Sequence, residues 1–127
     1  MSIRTPLAHA RGLGSAKSGT GHWWAQRLTA VALIPLALWF VAALVSVSTA
    51  DYDSAVAWVR SPLVTVLLIA LVVAMFHHAQ LGMQVVIEDY LHERWMKFAA
   101  LIGVKLAALT LGGACVIAVL RIALGSA

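Results

Sequence analysis

Three long apolar blocks dominate the chain, at Leu28 to Val47, Leu63 to Ile87 and Phe98 to Leu124. Each block reaches the ~20 residues that an α-helix needs to cross about 30 Å of hydrocarbon. Because lipid offers no partner to exposed backbone N–H and C=O groups, segments of this length should be helical. The pattern predicts an all-α membrane protein. Its three transmembrane helices are expected at about residues 26–48, 62–90 and 97–124.

Composition supports this class, since 62% of the 127 residues are hydrophobic and only 11% are charged. Such values lie outside the range of soluble domains. Residues 1–21 are small, polar and basic, which predicts a flexible N-terminal arm before a three-helix membrane domain at 22–127. The first apolar block is too long for a signal peptide, although "SVSTA" before Asp51 resembles a small-residue cleavage site. We expect this block to stay in place as a membrane span.

The distribution of basic residues predicts an orientation. Most lie before the first block or around the second loop, at Arg4, Arg11, Lys17, Arg27, Arg94, Lys97 and Lys105. Only Arg60 and Arg121 lie at the other ends of the spans. Loops rich in Lys and Arg stay in the cytoplasm. We therefore expect a cytoplasmic N-terminus and an outside C-terminus, and the net charge of +4 needs no nucleic-acid partner.

Small residues in the third block predict a helix contact. Gly112, Gly113 and Ala114 form a thin patch that lets another helix approach closely. Cys115 follows it, and as the single cysteine of the chain it has no partner for an internal disulfide. Pro35, inside the first block, is expected to kink that helix unless a neighbouring group satisfies the freed carbonyl.

The second block ends in "FHHAQLGMQVVIEDY", which brings histidines into an apolar helix. On an α-helix, His78, Gly82 and Asp89 lie within about 40° of one another, with Asp89 about 16 Å nearer the cytoplasmic end. His78 is a candidate axial ligand of a b-type haem, with Gly82 leaving a flat space for the ring. An interhelical hydrogen bond is the alternative, and the residues alone favour it.

The neighbouring polar residues raise separate questions. His77 points about 100° away from His78, so we expect it to hydrogen-bond a neighbouring helix or a backbone carbonyl. A second haem ligand is missing at the depth of His78, so another chain would have to supply one. Asp89 and Tyr90 are either solvated anchors at the membrane boundary or a pair that binds a quinone carbonyl and relays a proton.

The segments "HAQLGMQVVIEDY" and "GHWWAQRLTAVAL" resemble the D-type hydrophobic membrane anchors of succinate dehydrogenase, respiratory complex II. The length and the three spans fit this family over nearly the whole chain. The resemblance implies that His78 is the axial ligand of a haem b shared with a C-type cytochrome b anchor. It implies that Tyr90 and Asp89 bind ubiquinone. It further places Arg27, and with a less exact spacing His22, near the haem propionates and the quinone pocket.

The implied function is that of a membrane anchor of succinate:quinone oxidoreductase in a bacterial cytoplasmic membrane. Partner subunits would be the C-type anchor, an iron-sulfur protein and a flavoprotein, with no succinate-oxidising site in this chain. Two alternatives are an anchor of a quinol:fumarate reductase and a haem-free structural or assembly protein of the membrane. A transporter is disfavoured, because three helices with short loops offer no paired broken segments.

Overall fold

The computed structural model describes Leu7 and residues 19–125, and residues 19–125 form four helices joined by short connections. They are α1 (Gly19–Val47), α2 (Tyr52–Arg60), α3 (Pro62–Tyr90) and α4 (Arg94–Ala123). Helices α1, α3 and α4 are long and apolar enough to cross a membrane, and the described residues contain no strand. The prediction of an all-α protein with three membrane helices is therefore confirmed.

The helix bounds follow the predicted spans closely at some ends and less closely at others. Helix α3 covers residues 62–90 as expected, with Pro62 as its first residue. Helix α1 begins at Gly19, before the expected start at 26, because the polar residues ahead of the apolar block continue the same helix. The predicted arm 1–21 lies outside the described residues except for Leu7 and residues 19–21, which are helical. Helix α1 continues through Pro35.

Helix α2 is an element that the sequence analysis missed, because it expected no helix between the first span, ending at about residue 48, and the second, beginning at about residue 62. Asp51 caps this helix, and its side chain accepts a hydrogen bond from the backbone N–H of Ser54 at 3.2 Å. The Trp58 ring stacks on Trp39 of α1, with centroids 6.2 Å apart. An amphipathic helix thus connects α1 to α3 at one end of the bundle.

Helix α3 occupies the central position, since it packs against both α1 and α4 and also contacts α2. Gly112 of α4 is buried against α3, where an added Cβ would lie 3.2 Å from Cγ of Phe76. The predicted packing role thus holds for Gly112, whereas Gly113 has open space around it. Most other apolar side chains of the spans are exposed in this chain, as expected of helices that face lipid or partner subunits.

Two polar contacts tie α4 to its neighbours near its two ends. At the C-terminal end, Arg60 Nε of α2 donates a hydrogen bond to the carbonyl oxygen of Ile122 at 3.1 Å. A cation at this position also complements the partial negative charge of the α4 C-terminus. Near the N-terminal end, Lys97 Nζ donates to the carbonyl oxygen of Glu88 in α3 at 2.8 Å. Helix α4 is therefore held by α2 at one end and by α3 at the other.

Candidate functional site

The adjacent histidines of α3 face different neighbours. The Nδ1 atom of His78 lies 3.0 Å from the hydroxyl oxygen of Thr29 on α1. His77 instead lines a cavity of about 450 Å³ between α3 and α4, together with Gln80 and Lys105. The expected hydrogen bond from His77 to a helix or a backbone carbonyl is not formed among the described residues, so within this chain it stays a prediction.

One ring nitrogen of His78 has a hydrogen-bonding partner, and the other has none among the described residues. The side chain is half-buried, and Nδ1 is the atom that contacts Thr29. Nε2 has no hydrogen-bonding partner in the part of the chain that the structure describes, and the chain does not enclose it. A neutral imidazole in this state can offer one nitrogen as a metal ligand.

The face of α1 that meets His78 carries three polar side chains at helical spacing, His22, Gln26 and Thr29. Two of their atoms, His22 Nε2 and Gln26 Oε1, are buried without a partner among residues 19–125 and Leu7. A buried polar atom without a hydrogen bond costs about 1–3 kcal/mol. These atoms therefore indicate that a ligand or a partner subunit completes this face. Sequence analysis missed Gln26 and Thr29, although their spacing from His22 in an apolar helix was the available signal.

Gly82 does not face the open space that the sequence analysis expected. An added Cβ at Gly82 would lie 3.6 Å from Nε2 of Gln26, so α1 covers this part of α3. The expectation was wrong because it considered α3 alone, without the helix that packs on it. The group nearest to Gly82 is the end of a flexible side chain, which can move when a larger molecule binds.

Arg27 and the tryptophans lie near the start of α1. The guanidinium carbon of Arg27 lies 5.3 Å from the ring centroid of Trp23, within the range of a cation–π interaction. Trp23 and Trp24 contact each other edge to face, with centroids 5.2 Å apart. Arg27 is exposed and follows Gln26 directly in the sequence, so it points about 100° away from the face of α1 that carries His22, Gln26 and Thr29.

Asp89 and Tyr90 are the last two residues of α3, and both are exposed. Tyr90 keeps 77% of its surface accessible, and neither side chain has a partner within the described residues. Twelve residues separate Tyr90 from His78, which is about 18 Å along a helix. The chain thus presents two separate groups of polar residues, one around His78 and one at the end of α3, and does not bring them into contact.

Comparison with known proteins identifies relatives over most of the chain. The family model described as "Succinate dehydrogenase/Fumarate reductase transmembrane subunit" matches residues 1–112. A protein named succinate dehydrogenase hydrophobic membrane anchor subunit, from Rickettsia bellii, is 36% identical over 104 residues, which cover 82% of this chain and 83% of the relative.

Two further relatives carry the same name. The protein from Rickettsia conorii is 33% identical over 105 residues, covering 82% of this chain and 83% of the relative. The protein from Paracoccus denitrificans is 33% identical over 107 residues, covering 82% of this chain and 81% of the relative. No solved structure matches the chain.

Proposed function

This chain belongs to the family of succinate dehydrogenase/fumarate reductase transmembrane subunits, and we propose that it binds haem b through His78 and ubiquinone through Tyr90 and Asp89. It is a membrane anchor subunit of succinate dehydrogenase, a multi-pass protein of the bacterial inner membrane and part of an oxidoreductase complex. We propose the haem cofactor, the ubiquinone site and the identity of the individual partner subunits.

The haem assignment rests on the ring nitrogen of His78 that the contact with Thr29 leaves unused. Nδ1 makes the interhelical contact that the sequence offered as the alternative to haem, whereas Nε2, in the middle of a membrane helix, has no hydrogen-bonding partner among the described residues. Binding to iron removes the cost of an unpaired polar atom in lipid. Bound haem would supply a centre that accepts and releases one electron. In this proposal a histidine of the C-type anchor would hold the iron together with His78.

The residues of α1 fit the polar edge of such a group. His22 Nε2 has no partner among the described residues and can donate a hydrogen bond to a carboxylate, whereas Gln26 Oε1, also without a partner there, can only accept one. Arg27, on the adjoining face of α1, adds a positive charge that suits a carboxylate such as a haem propionate. His22 and Arg27 would thus hold the anionic edge, while His78 holds the metal.

The end of α3 is the proposed quinone-binding region. The Tyr90 hydroxyl is exposed and can donate a hydrogen bond to a quinone carbonyl. Reduction of the quinone to the quinol consumes two electrons and two protons. Asp89, exposed beside Tyr90, can take a proton from the aqueous side and pass it on. The electrons come from succinate, which we place at the flavoprotein, by way of the iron-sulfur subunit.

The test is the reduced-minus-oxidised spectrum of the purified complex with His78→Ala or His77→Ala. These variants form a matched pair, because they remove the same side chain from adjacent positions that face different helices. We expect His78→Ala to lose the haem b signal and His77→Ala to keep it. His77 lines a cavity of about 450 Å³, so it is the other histidine of α3 that has to be tested as the haem ligand. Loss of haem from His77→Ala alone would overturn the assignment of His78.

A further inference from the structure

We infer that Thr29 is the positioning residue for His78, and that its hydroxyl keeps the His78 ring protonated at Nδ1 and open at Nε2. The inference rests on the proposed function, in which His78 binds the haem iron. Thr29 lies on α1 and His78 on α3, so their contact at 3.0 Å is an interaction between two membrane helices. No feature of either helix alone predicts it.

The direction of the hydrogen bond follows from the number of protons available. The Thr29 hydroxyl has one proton and lies 2.8 Å from the carbonyl oxygen of Ala25 and 3.1 Å from that of Gln26. A carbonyl oxygen can only accept, so these short contacts require the hydroxyl to donate to the α1 backbone. The hydroxyl oxygen then has lone pairs left for His78. The proton of the third contact must therefore come from Nδ1 of His78.

A neutral imidazole carries one N–H, and this arrangement places it on Nδ1. Nε2 then holds a lone pair, which is the form that binds a metal. A hydrogen bond from the distal N–H of a ligating histidine also fixes the ring orientation and raises the basicity of the donor nitrogen. Thr29 would thus select the tautomer, the orientation and the donor strength of His78.

The position of Thr29 is itself well determined. A threonine in a helix can bond its hydroxyl to a carbonyl of the preceding turn, and this contact limits the side chain to few rotamers. The hydroxyl oxygen is thereby held at a fixed point on the α1 surface. A weakly held acceptor would let the imidazole rotate, whereas this one holds it.

Substitutions at this position separate the hydroxyl from the packing of the side chain. Thr29→Val keeps the branched shape and removes the hydroxyl, whereas Thr29→Ser keeps the hydroxyl and removes the methyl group. Thr29→Ala, compared with Thr29→Ser, differs only in the hydroxyl. This second pair provides the same contrast if the valine variant fails to assemble.

The experiment uses the purified complex and two readouts other than activity. The first is the rate at which haem transfers to added apomyoglobin, and the second is the midpoint potential of haem b. Loss of an outer partner of a metal ligand costs about 10–100-fold in metal affinity, so we expect Thr29→Val to release haem faster by a factor in that range. The potential should become more positive, because a less basic imidazole stabilises the oxidised iron less. Thr29→Ser should match the wild type in both.

The outcomes distinguish the inference from the proposed function. If His78→Ala abolishes haem binding but Thr29→Val and Thr29→Ala match the wild type, the role of Thr29 is overturned and haem ligation by His78 stands. Equal effects of Thr29→Val and Thr29→Ser would also overturn it, because packing and not the hydroxyl would then be the cause. If His78→Ala retains haem, the proposed function fails and the inference fails with it.

Discussion

Gly112→Ala should destabilise the contact between α3 and α4, and the size of the effect follows from the geometry at Phe76. The added Cβ would lie 3.2 Å from Cγ, 3.3 Å from Cβ and 3.3 Å from Cδ2 of Phe76. Comfortable carbon contacts lie at about 3.5–4.0 Å, so one helix must move by a few tenths of an ångström. Overpacking of this kind costs about 1–3 kcal/mol.

Gly113→Ala is the matched control, because no atom lies within 4 Å of a Cβ added there. Both substitutions gain about 1 kcal/mol from the higher helix propensity of alanine, so this term cancels in the comparison. The expected difference in stability is therefore about 1–3 kcal/mol, with Gly112→Ala the less stable variant.

The assay heats the detergent-solubilised complex, with the chain fused to a fluorescent protein, and measures the fluorescence that remains in the assembled peak on size exclusion. The midpoint temperature of Gly112→Ala should fall below that of Gly113→Ala. Adding Phe76→Leu to Gly112→Ala should recover part of the loss, since the two side chains are in contact and their effects are not additive. Equal midpoints for the two glycine variants would refute the reasoning.

Three further predictions concern polar side chains. Tyr90→Phe should lower quinone reductase activity by the modest factor that corresponds to about 0.5–1.5 kcal/mol, without changing succinate oxidation by a soluble acceptor; unchanged quinone affinity would contradict it. Gln26→Leu should speed haem transfer to apomyoglobin, because Oε1 is buried without a partner among the described residues and, in the proposed complex, accepts a hydrogen bond that the leucine cannot; unchanged or slower transfer would contradict this. Asp51→Ala should reduce hydrogen-exchange protection of the Ser54 amide, while Asp51→Asn should preserve it. Hydrogen bonds from Ser54 hold the pKa of Asp51 below its ordinary value, so the charged cap stabilises α2 above that ordinary pKa and its contribution is lost as the pH falls through the lowered pKa.

The spans could be predicted because the bilayer sets one dominant requirement. An apolar run of about 20 residues has few alternatives to a membrane helix, and Pro62 marks the start of α3 in the sequence itself. Helix α2 was missed for the opposite reason. It has only nine residues, and its signals are a capping Asp51 and an amphipathic pattern that is short enough to resemble a loop.

The candidate site was predicted only where a single helix determines it. The different directions of His77 and His78 follow from helical geometry, and the structure retains them. The contact with Thr29 and the covering of Gly82 by Gln26 depend on the register between α1 and α3, which no pattern along the chain specifies. The orientation in the membrane remains a prediction from the distribution of basic residues.

The central position of α3 explains why one of two adjacent histidines is suited to bind a metal. An imidazole in a membrane helix needs partners for both nitrogens, because lipid supplies none. Thr29 supplies one partner to His78, and its remaining hydrogen-bonding capacity is used by the α1 backbone. The second nitrogen of His78 is then left with a cost of about 1–3 kcal/mol if it is buried unpaired, which binding to iron would remove. His77 has no such contact among the described residues and lines the cavity beside α4 instead. The same packing that holds His78 in one tautomer therefore leaves it dependent on a group from outside the chain.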